Sequence, residues 1–293
     1  MVKTKVIEES DEKIAILLSD TDRAFVNAIR RTLMSDTPKM AIDTVRFEMG
    51  TIEQDGEVWE TNGPLPDEVV AQRLAMIPIP TKHDEFHFQD SCPACAELVV
   101  EDRGCPQCTM IYTCKAFGTE DGRIVTAGDM SFMGTDGSIS EKYHSIPLTR
   151  LSRGQMIEFY ATAIMGRGRD HAKWSPVCGT TFTPRQVGVI NKPRKAKILW
   201  DLNLTITAKD FSSGRLEDIG KVAQLIDDLH HVGDGTEESR EFKDAITLEE
   251  VPGEFILSFE SDGSMTARVA FQKAIQELSG RFGELEEDLV TVL

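Results

Sequence analysis

The sequence predicts an α+β protein: antiparallel strands fill the middle of the chain, and an amphipathic helix lies near each end. Three observations carry that expectation. Alternating apolar residues mark strands, as at Met110, Tyr112, Cys114 and Ala116. Apolar residues at helical spacing mark residues 23–35 and 266–282, and paired cysteines interrupt the strand-rich middle.

Lys5–Ile7 and Lys13–Ser19 read as strands, the second carrying the apolar run from Ile14 to Leu18. Ser19, Asp20, Thr21 and Asp22 then offer N-caps for a helix over Arg23–Ser35. On it Phe25, Ala28, Ile29 and Leu33 share one apolar face, while Arg23, Asn27, Arg30 and Arg31 lie off it. Pro38 stops the helix, and Ala41–Glu53 returns to extended structure. A short helix follows Pro64 and Pro66, with Asp67 as its cap, Val70, Leu74 and Ile77 inward, and Pro78 and Pro80 at its end.

Residues 97–117 and 156–164 read as strands, in which Cys114 is a small buried hydrophobe. Lys197–Thr207 reads as strand-like, Leu216–His231 as helical and Gly233–Ser239 as a polar stretch, so that 190–250 is expected to be an inserted module or a loop-rich connection, with no role legible in its residues. The chain closes with a strand at Glu254–Glu260, a turn at 261–263, and a helix from Thr266. That helix bears a stripe of Ala270, Phe271, Ala274, Ile275, Leu278 and Phe282.

Composition narrows the function classes. Of 293 residues, 40% are hydrophobic, enough for a sizeable core, and 49 acidic against 32 basic residues leave a net charge of −17. Such a chain is repelled by phosphate backbones, so any link to DNA is expected to be indirect. No apolar run approaches the ~18–20 residues that cross a bilayer, and the residues MVKTKVIEESDEK carry no apolar stretch of a secretory signal. The expectation is a cytoplasmic protein without membrane contact. Five of the six cysteines crowd between Cys92 and Cys114, which suits a metal site in a reducing compartment better than a disulfide framework.

Cys92-Pro-Ala-Cys95, nine residues and then Cys105-Pro-Gln-Cys108 place four thiolates on two tight turns. A tetrahedral sulfur set of this kind suits Zn²⁺ or iron, and a structural Zn²⁺ is the natural choice because four sulfurs leave no position for water or substrate. The spacing departs from ferredoxin-type cluster motifs, and the turns lack the strand-to-helix setting of a thioredoxin-like pair. His83 and His87 lie nearby, but four thiolates already complete the set.

The second distinctive segment is Met165-Gly-Arg-Gly-Arg-Asp-His-Ala-Lys-Trp-Ser-Pro176. Its Gly-x-Gly lacks the rest of a phosphate loop, and adjacent Asp170 and His171 seldom converge on one reacting atom. Arg167, His171, Lys173 and Trp174 suit gripping another protein, since Arg and Trp are favoured interface anchors. No nucleophile elbow, zincin helix, Walker sequence or two-metal aspartate motif is present, so no catalytic or organic-cofactor residue is assigned. A free-standing zinc or redox enzyme would need an open metal position or a reactive thiol, and a DNA-binding zinc module would need a basic face.

The stretch Phe25-Val-Asn-Ala-Ile-Arg-Arg-Thr-Leu-Met-Ser-Asp-Thr-Pro-Lys-Met-Ala-Ile-Asp43 resembles the alpha motif of RNA polymerase assembly subunits. Asp67–Pro78 resembles its companion helix, and the 166–177 segment and Phe255–Ser264 with the following helix are similar to archaeal D-type and third-largest eukaryotic subunits, counterparts of bacterial alpha. The resemblance covers roughly 5–185 and 250–283. It implies a discontinuous alpha-type dimerisation domain from 1–49 and 187–293, with a mostly β domain, 50–186, inserted and carrying the metal loop 92–108. It also implies a non-catalytic subunit of DNA-directed RNA polymerase, a nucleotidyltransferase, whose partners are a small alpha-like subunit resembling L, small subunits resembling N and P, and the second-largest and largest subunits. Phe25, Ile29, Leu33, Phe271, Ile275 and Leu278 are then the expected partner-facing residues. Arg30, Arg31 and the loop holding Arg167 to Trp174 are the expected large-subunit contacts. The later iron–sulfur domain of some archaeal members is not expected, because no cysteine follows Gly179.

Overall fold

The structure is a computed structural model describing residues 2–54, 56–135 and 137–292, the side chains of 291 and 292 excepted. In chain order the elements are β1 (Lys3–Glu9), β2 (Lys13–Ser19), α1 (Arg23–Ser35), β3 (Lys39–Phe47), β4 (Thr51–Gln54), β5 (Glu57–Glu60), α2 (Asp67–Ala75), β6 (Thr109–Phe117), β7 (Arg123–Thr126) and β8 (Ser131–Phe132). There follow β9 (Pro147–Leu151), β10 (Met156–Gly166), β11 (Val177–Ile190), α3 (Pro193–Asp201), β12 (Arg215–Leu216), α4 (Ile219–His230), α5 (Ser239–Phe242), β13 (Ile246–Ser261) and α6 (Ala267–Val292). The mixed α and β content with antiparallel pairing agrees with the expected class.

Two compact units share the chain: 1–7, 15–27 and 181–258 form the first, and 8–14, 28–180 and 259–293 the second. The first unit holds most of a five-stranded sheet ordered β1-β2-β13-β11-β12. Between β11 and β13 the chain builds a small helical module, whose core includes Ala196, Leu199, Leu216, Val222, Leu225 and Phe242. The two ends of that module are tied together, because the amides of Asn191 and Lys192 both donate to the carbonyl of Ala245, at 2.9 and 3.1 Å. Buried Asp228 accepts the amide of Ile206 at 2.7 Å, satisfying a charge that would otherwise be costly inside the module.

The second unit holds a four-stranded antiparallel sheet ordered β3-β10-β6-β8. Phe159 of the central β10 faces Phe47 of β3 and Cys114 of β6 in register. The period-2 pattern of β6 explains why this face is dry: Met110, Tyr112, Cys114 and Ala116 are all buried, while Ile111 and Lys115 point out. Val70 and Leu74 of α2 pack into the same core with Ile77, Ile79 and Leu148, each such side chain contributing about 1.5–3 kcal/mol of burial.

Several sequence expectations need correction. Lys197–Thr207 begins as helix rather than strand: Pro193 occupies the first turn of α3, where its missing amide costs nothing, and Ala196 and Leu199 supply the buried face. Residues 97–108 are not strand, since only one 3-10 turn, Val100–Asp102, interrupts the loop and β6 starts at Thr109. The extended run after Pro38 is β3, ending at Phe47, followed by the β4–β5 hairpin. Asp67 is the first residue of α2, not its cap, which is Pro66. Helix α4 begins at Ile219 because the Asp218 carboxylate caps it, accepting the Lys221 amide at 2.9 Å.

Candidate metal centre and assembly surface

Two tight turns bring the four paired cysteines together. In each, the carbonyl of the first cysteine accepts the amides three and four residues on: Cys92 from Cys95 and Ala96, and Cys105 from Cys108 and Thr109, all at 2.9–3.0 Å. The sulfurs converge, Cys92 to Cys105 at 3.5 Å, Cys105 to Cys108 at 3.7 Å and Cys95 to Cys108 at 3.9 Å, with all four within 4.8 Å of one another. A tetrahedral ion bonded to sulfur at about 2.3 Å sets its sulfurs about 3.8 Å apart. A disulfide needs about 2.05 Å, and all six cysteines are free. The site thus fits one metal ion.

Burial pushes the Cys108 thiol up to about 12, so without a cation that thiol would stay protonated. A metal ion among the sulfurs reverses that balance, and the Cys105 amide aimed at the Cys108 sulfur from 3.4 Å favours thiolate. The histidines take no part: His83 bonds the Pro38 carbonyl through Nε2 at 2.9 Å, and the His87 amide bonds Gln107. Cys114 lies in the β6 core, its thiol likewise pushed up to about 12 by burial.

The Gly166 to Pro176 segment is largely knitted into the second unit. Trp174 lies over Gly166 and donates Nε1 to the Ile164 carbonyl at 3.1 Å. Lys173 is buried, pairs with Asp43 at 2.7 Å, sits 4.2 Å from the Trp174 ring and offers its carbonyl to Lys39, which pairs with Asp262. Arg167 donates to the Asp36 carbonyl and to Glu277 of α6 at 2.5 Å, with Phe88 beneath its guanidinium at 4.9 Å. Arg169, Asp170, His171 and Ala172 form the exposed crest.

Gly168 rests directly on the end of α1. A Cβ there would lie 2.0 Å from the Met34 carbonyl oxygen, a backbone atom that cannot swing away. Gly168→Ala is therefore expected to destabilise the protein by roughly 3 kcal/mol, at the upper end of overpacking costs, read as a shifted denaturant midpoint with unchanged slope.

The expected partner-facing residues divide by burial. Ile29 and Leu33 of α1 are core residues with Val26, which the sequence reading left out; Phe25 and Arg30 are half-buried, and Arg31 is exposed. On α6, Ala270 and Ala274 are fully buried, Phe271 and Leu278 half-buried, and Ile275 and Phe282 exposed, Phe282 at 60%. Leu285 and Leu289 extend this stripe and are exposed too. Ile275, Leu278, Phe282, Leu285 and Leu289 repeat at spacings of three and four, the signature of a helix-pairing seam that the shorter sequence stripe stopped short of. The structure also brings Asp36, Glu277 and Arg281 into one ion-pair cluster. An acid at the carboxyl end of α1 opposes the helix dipole, and that was the sequence signal for a cationic partner.

Among the described residues no helix is long and apolar enough to cross a membrane. The family model described as the RNA polymerase Rpb3/Rpb11 dimerisation domain matches residues 15–282. The chain is similar to DNA-directed RNA polymerase subunit Rpo3 of Picrophilus torridus, 33% identical over 97% of this chain and 98% of the relative. It is 34% identical to Rpo3 of Thermococcus kodakarensis over 60% of this chain and 57% of that one. Against DNA-directed RNA polymerase II subunit rpb3 of Dictyostelium discoideum it is 31% identical over 65% and 60%. With its four-sulfur loop, its exposed helical seam and a family match across nearly its whole length, the chain belongs to the RNA polymerase Rpb3/Rpb11 dimerisation-domain family.

Proposed function

We propose that this chain is the non-catalytic assembly subunit of an archaeal-type DNA-directed RNA polymerase, pairing with a small alpha-like subunit and then recruiting the large subunits. The observation that carries this reading is the exposed apolar seam of α6 in a chain of the dimerisation family, since a stripe of Phe282, Leu285 and Leu289 facing solvent is the surface a partner helix covers. The dimerisation domain is discontinuous, made from 1–49 and 187–293, with 50–186 inserted and 190–250 a module within it. The small alpha-like partner, resembling L, covers α6 and the exposed edge of α1 near Phe25 and Met34. Small subunits resembling N and P and the second-largest and largest subunits follow, meeting Arg30, Arg31 and the crest at His171, while Arg167, Lys173 and Trp174 hold that crest in shape from beneath. The metal is one structural Zn²⁺ held by Cys92, Cys95, Cys105 and Cys108, since a closed four-sulfur set supplies folding energy and no reactive position. DNA contact is indirect and the setting cytoplasmic.

Isolation of the native complex through this chain tests the reading. The expected result is a polymerase with one small alpha-like subunit per copy of the chain, and about one equivalent of zinc in the chain separated from it. Recovery of the chain as a free monomer with no polymerase subunits would overturn it.

A further inference from the structure

Helix α6 has 26 residues, yet its deep anchoring is confined to the first turns, where Ala267, Ala270 and Ala274 are fully buried. From Ser279 to Val290 every residue is exposed. Where the buried anchoring gives out, two ion pairs one helical turn apart on the same side of α6 tie the helix to the rest of the second unit. Glu277 meets Arg167 at 2.5 Å, and Arg281 meets Asp36 at 2.5 Å. Both pairs lead to one place, the carboxyl end of α1, because Arg167 also bonds the Asp36 carbonyl and Arg169 approaches the Asp36 carboxylate at 3.7 Å. The Asp36 side chain is only 10% exposed and Arg167 lies over Phe88, so this cluster is more shielded from solvent than an ordinary surface pair.

We infer that Asp36, Arg167, Glu277 and Arg281 are positioning residues, a clamp that sets the direction of the outer half of α6 and so presents its apolar seam to a partner already aligned. The inference rests on the reading of that seam as the dimerisation surface. Leverage is its physical basis: eleven residues beyond Arg281 at about 1.5 Å each make an arm of about 16 Å, so a swing of about 10° moves the tip by roughly 3 Å. That is enough to lift Phe282 and Leu285 out of register with the holes of a facing helix. None of the four clamp residues needs to touch the partner. Asp36 carries the further cost of an acid at a helix carboxyl end, which the arginines around it offset.

The test uses the full chain with spin labels on non-canonical residues at Val290 and Glu141, both exposed positions of the second unit, which leaves the cysteines untouched. Arg281→Ala and Asp36→Asn are each expected to broaden the 141–290 distance distribution markedly. Affinity for the small alpha-like subunit should fall about tenfold, as when a surface must be ordered on binding rather than before it. The double variant should lose little more than either single one, since the two groups act as one contact. Gln276→Ala, an exposed change on the same helix, is the control and should alter neither readout. An unchanged distribution in both variants, or a broadened one with unaltered affinity, overturns the clamp. Failure of the wild-type chain to bind the small subunit would instead sink the dimerisation reading, while the distances alone would still report whether the ion pairs aim the helix. A variant that loses its overall fold, seen as lost near-ultraviolet dichroism, is replaced by Glu277→Gln, which removes one charge and keeps the side-chain volume.

Discussion

Removing the metal, or replacing Cys108 with serine, is expected to dismantle residues 91–104 while the β3-β10-β6-β8 sheet stays folded. Between Ser91 and Gly104 the only buried residues are Cys92 and Cys95, while Leu98, Val99 and Val100 face solvent. The buried cluster of this loop consists of the four cysteines alone, so a metal ion held among them would be its core. Structural zinc in peptides of comparable size contributes on the order of 10 kcal/mol, far more than the few loop hydrogen bonds that would remain. Metal content should drop from about one equivalent to a small fraction of one in Cys108→Ser. Amide exchange at Cys95, Ala96 and Cys108 should become fast while that of the β6 and β10 core remains slow. Cys114→Ser should keep its metal, because Cys114 lies in the β6 core outside the four-sulfur set. Full metal retention in Cys108→Ser would remove this residue from the ligand set.

The second large effect lies at the opposite end of the chain. Phe282→Asp with Leu285→Asp should abolish pairing with the small alpha-like subunit yet leave the melting temperature of the isolated chain almost unchanged. Both side chains are more than half exposed in the free chain, so a carboxylate there stays solvated. Covered by a partner helix, two unpaired charges would cost at least about 4 kcal/mol together, roughly a thousandfold in affinity. Calorimetric titration with the purified partner reads this directly, and binding within about tenfold of wild type would place the interface elsewhere. Leu33→Asp is a poor substitute for this experiment: Leu33 is fully buried within the chain, so the charge would unfold its own surroundings and lose the partner as a side effect.

Legibility in the sequence followed the physics of each element. The metal turns were plain because ligand chemistry forces residue type and spacing together, and the four sulfurs meet where Cys92, Cys95, Cys105 and Cys108 predict. Strand β6 and helix α2 were legible because one face of each is buried, which writes a period into the residues. Helix α3 was misread because its basic first half hides a two-residue buried face, Ala196 and Leu199, too short to show a period. The roles of Lys173 and Arg167 were half-legible. Their side chains invite a partner on chemical grounds, but Asp43, Asp36 and Glu277, more than a hundred residues away in the chain, claim those charges first. Long-range pairs of that kind leave no local pattern.

The way the helical module is tied at its base bears on how this protein could be remade. Asn191 and Ala245, just beyond the end of β11 and just before the start of β13, stand within backbone hydrogen-bond distance, and the two strands are neighbours in the sheet, so the chain between them leaves and rejoins it at one point. Its hydrophobic cluster draws only on residues 190–248. A short turn joining β11 directly to β13 would therefore close an ordinary hairpin, with loop closure asking for only a few residues. The same point offers a grafting port: a foreign domain whose termini lie close together should be accepted there, carried outward on two paired strands. Such an exchange would give up only β12, the two-residue edge strand paired with β11 at Gly188 and Val189, and leave the other four strands of the sheet in place.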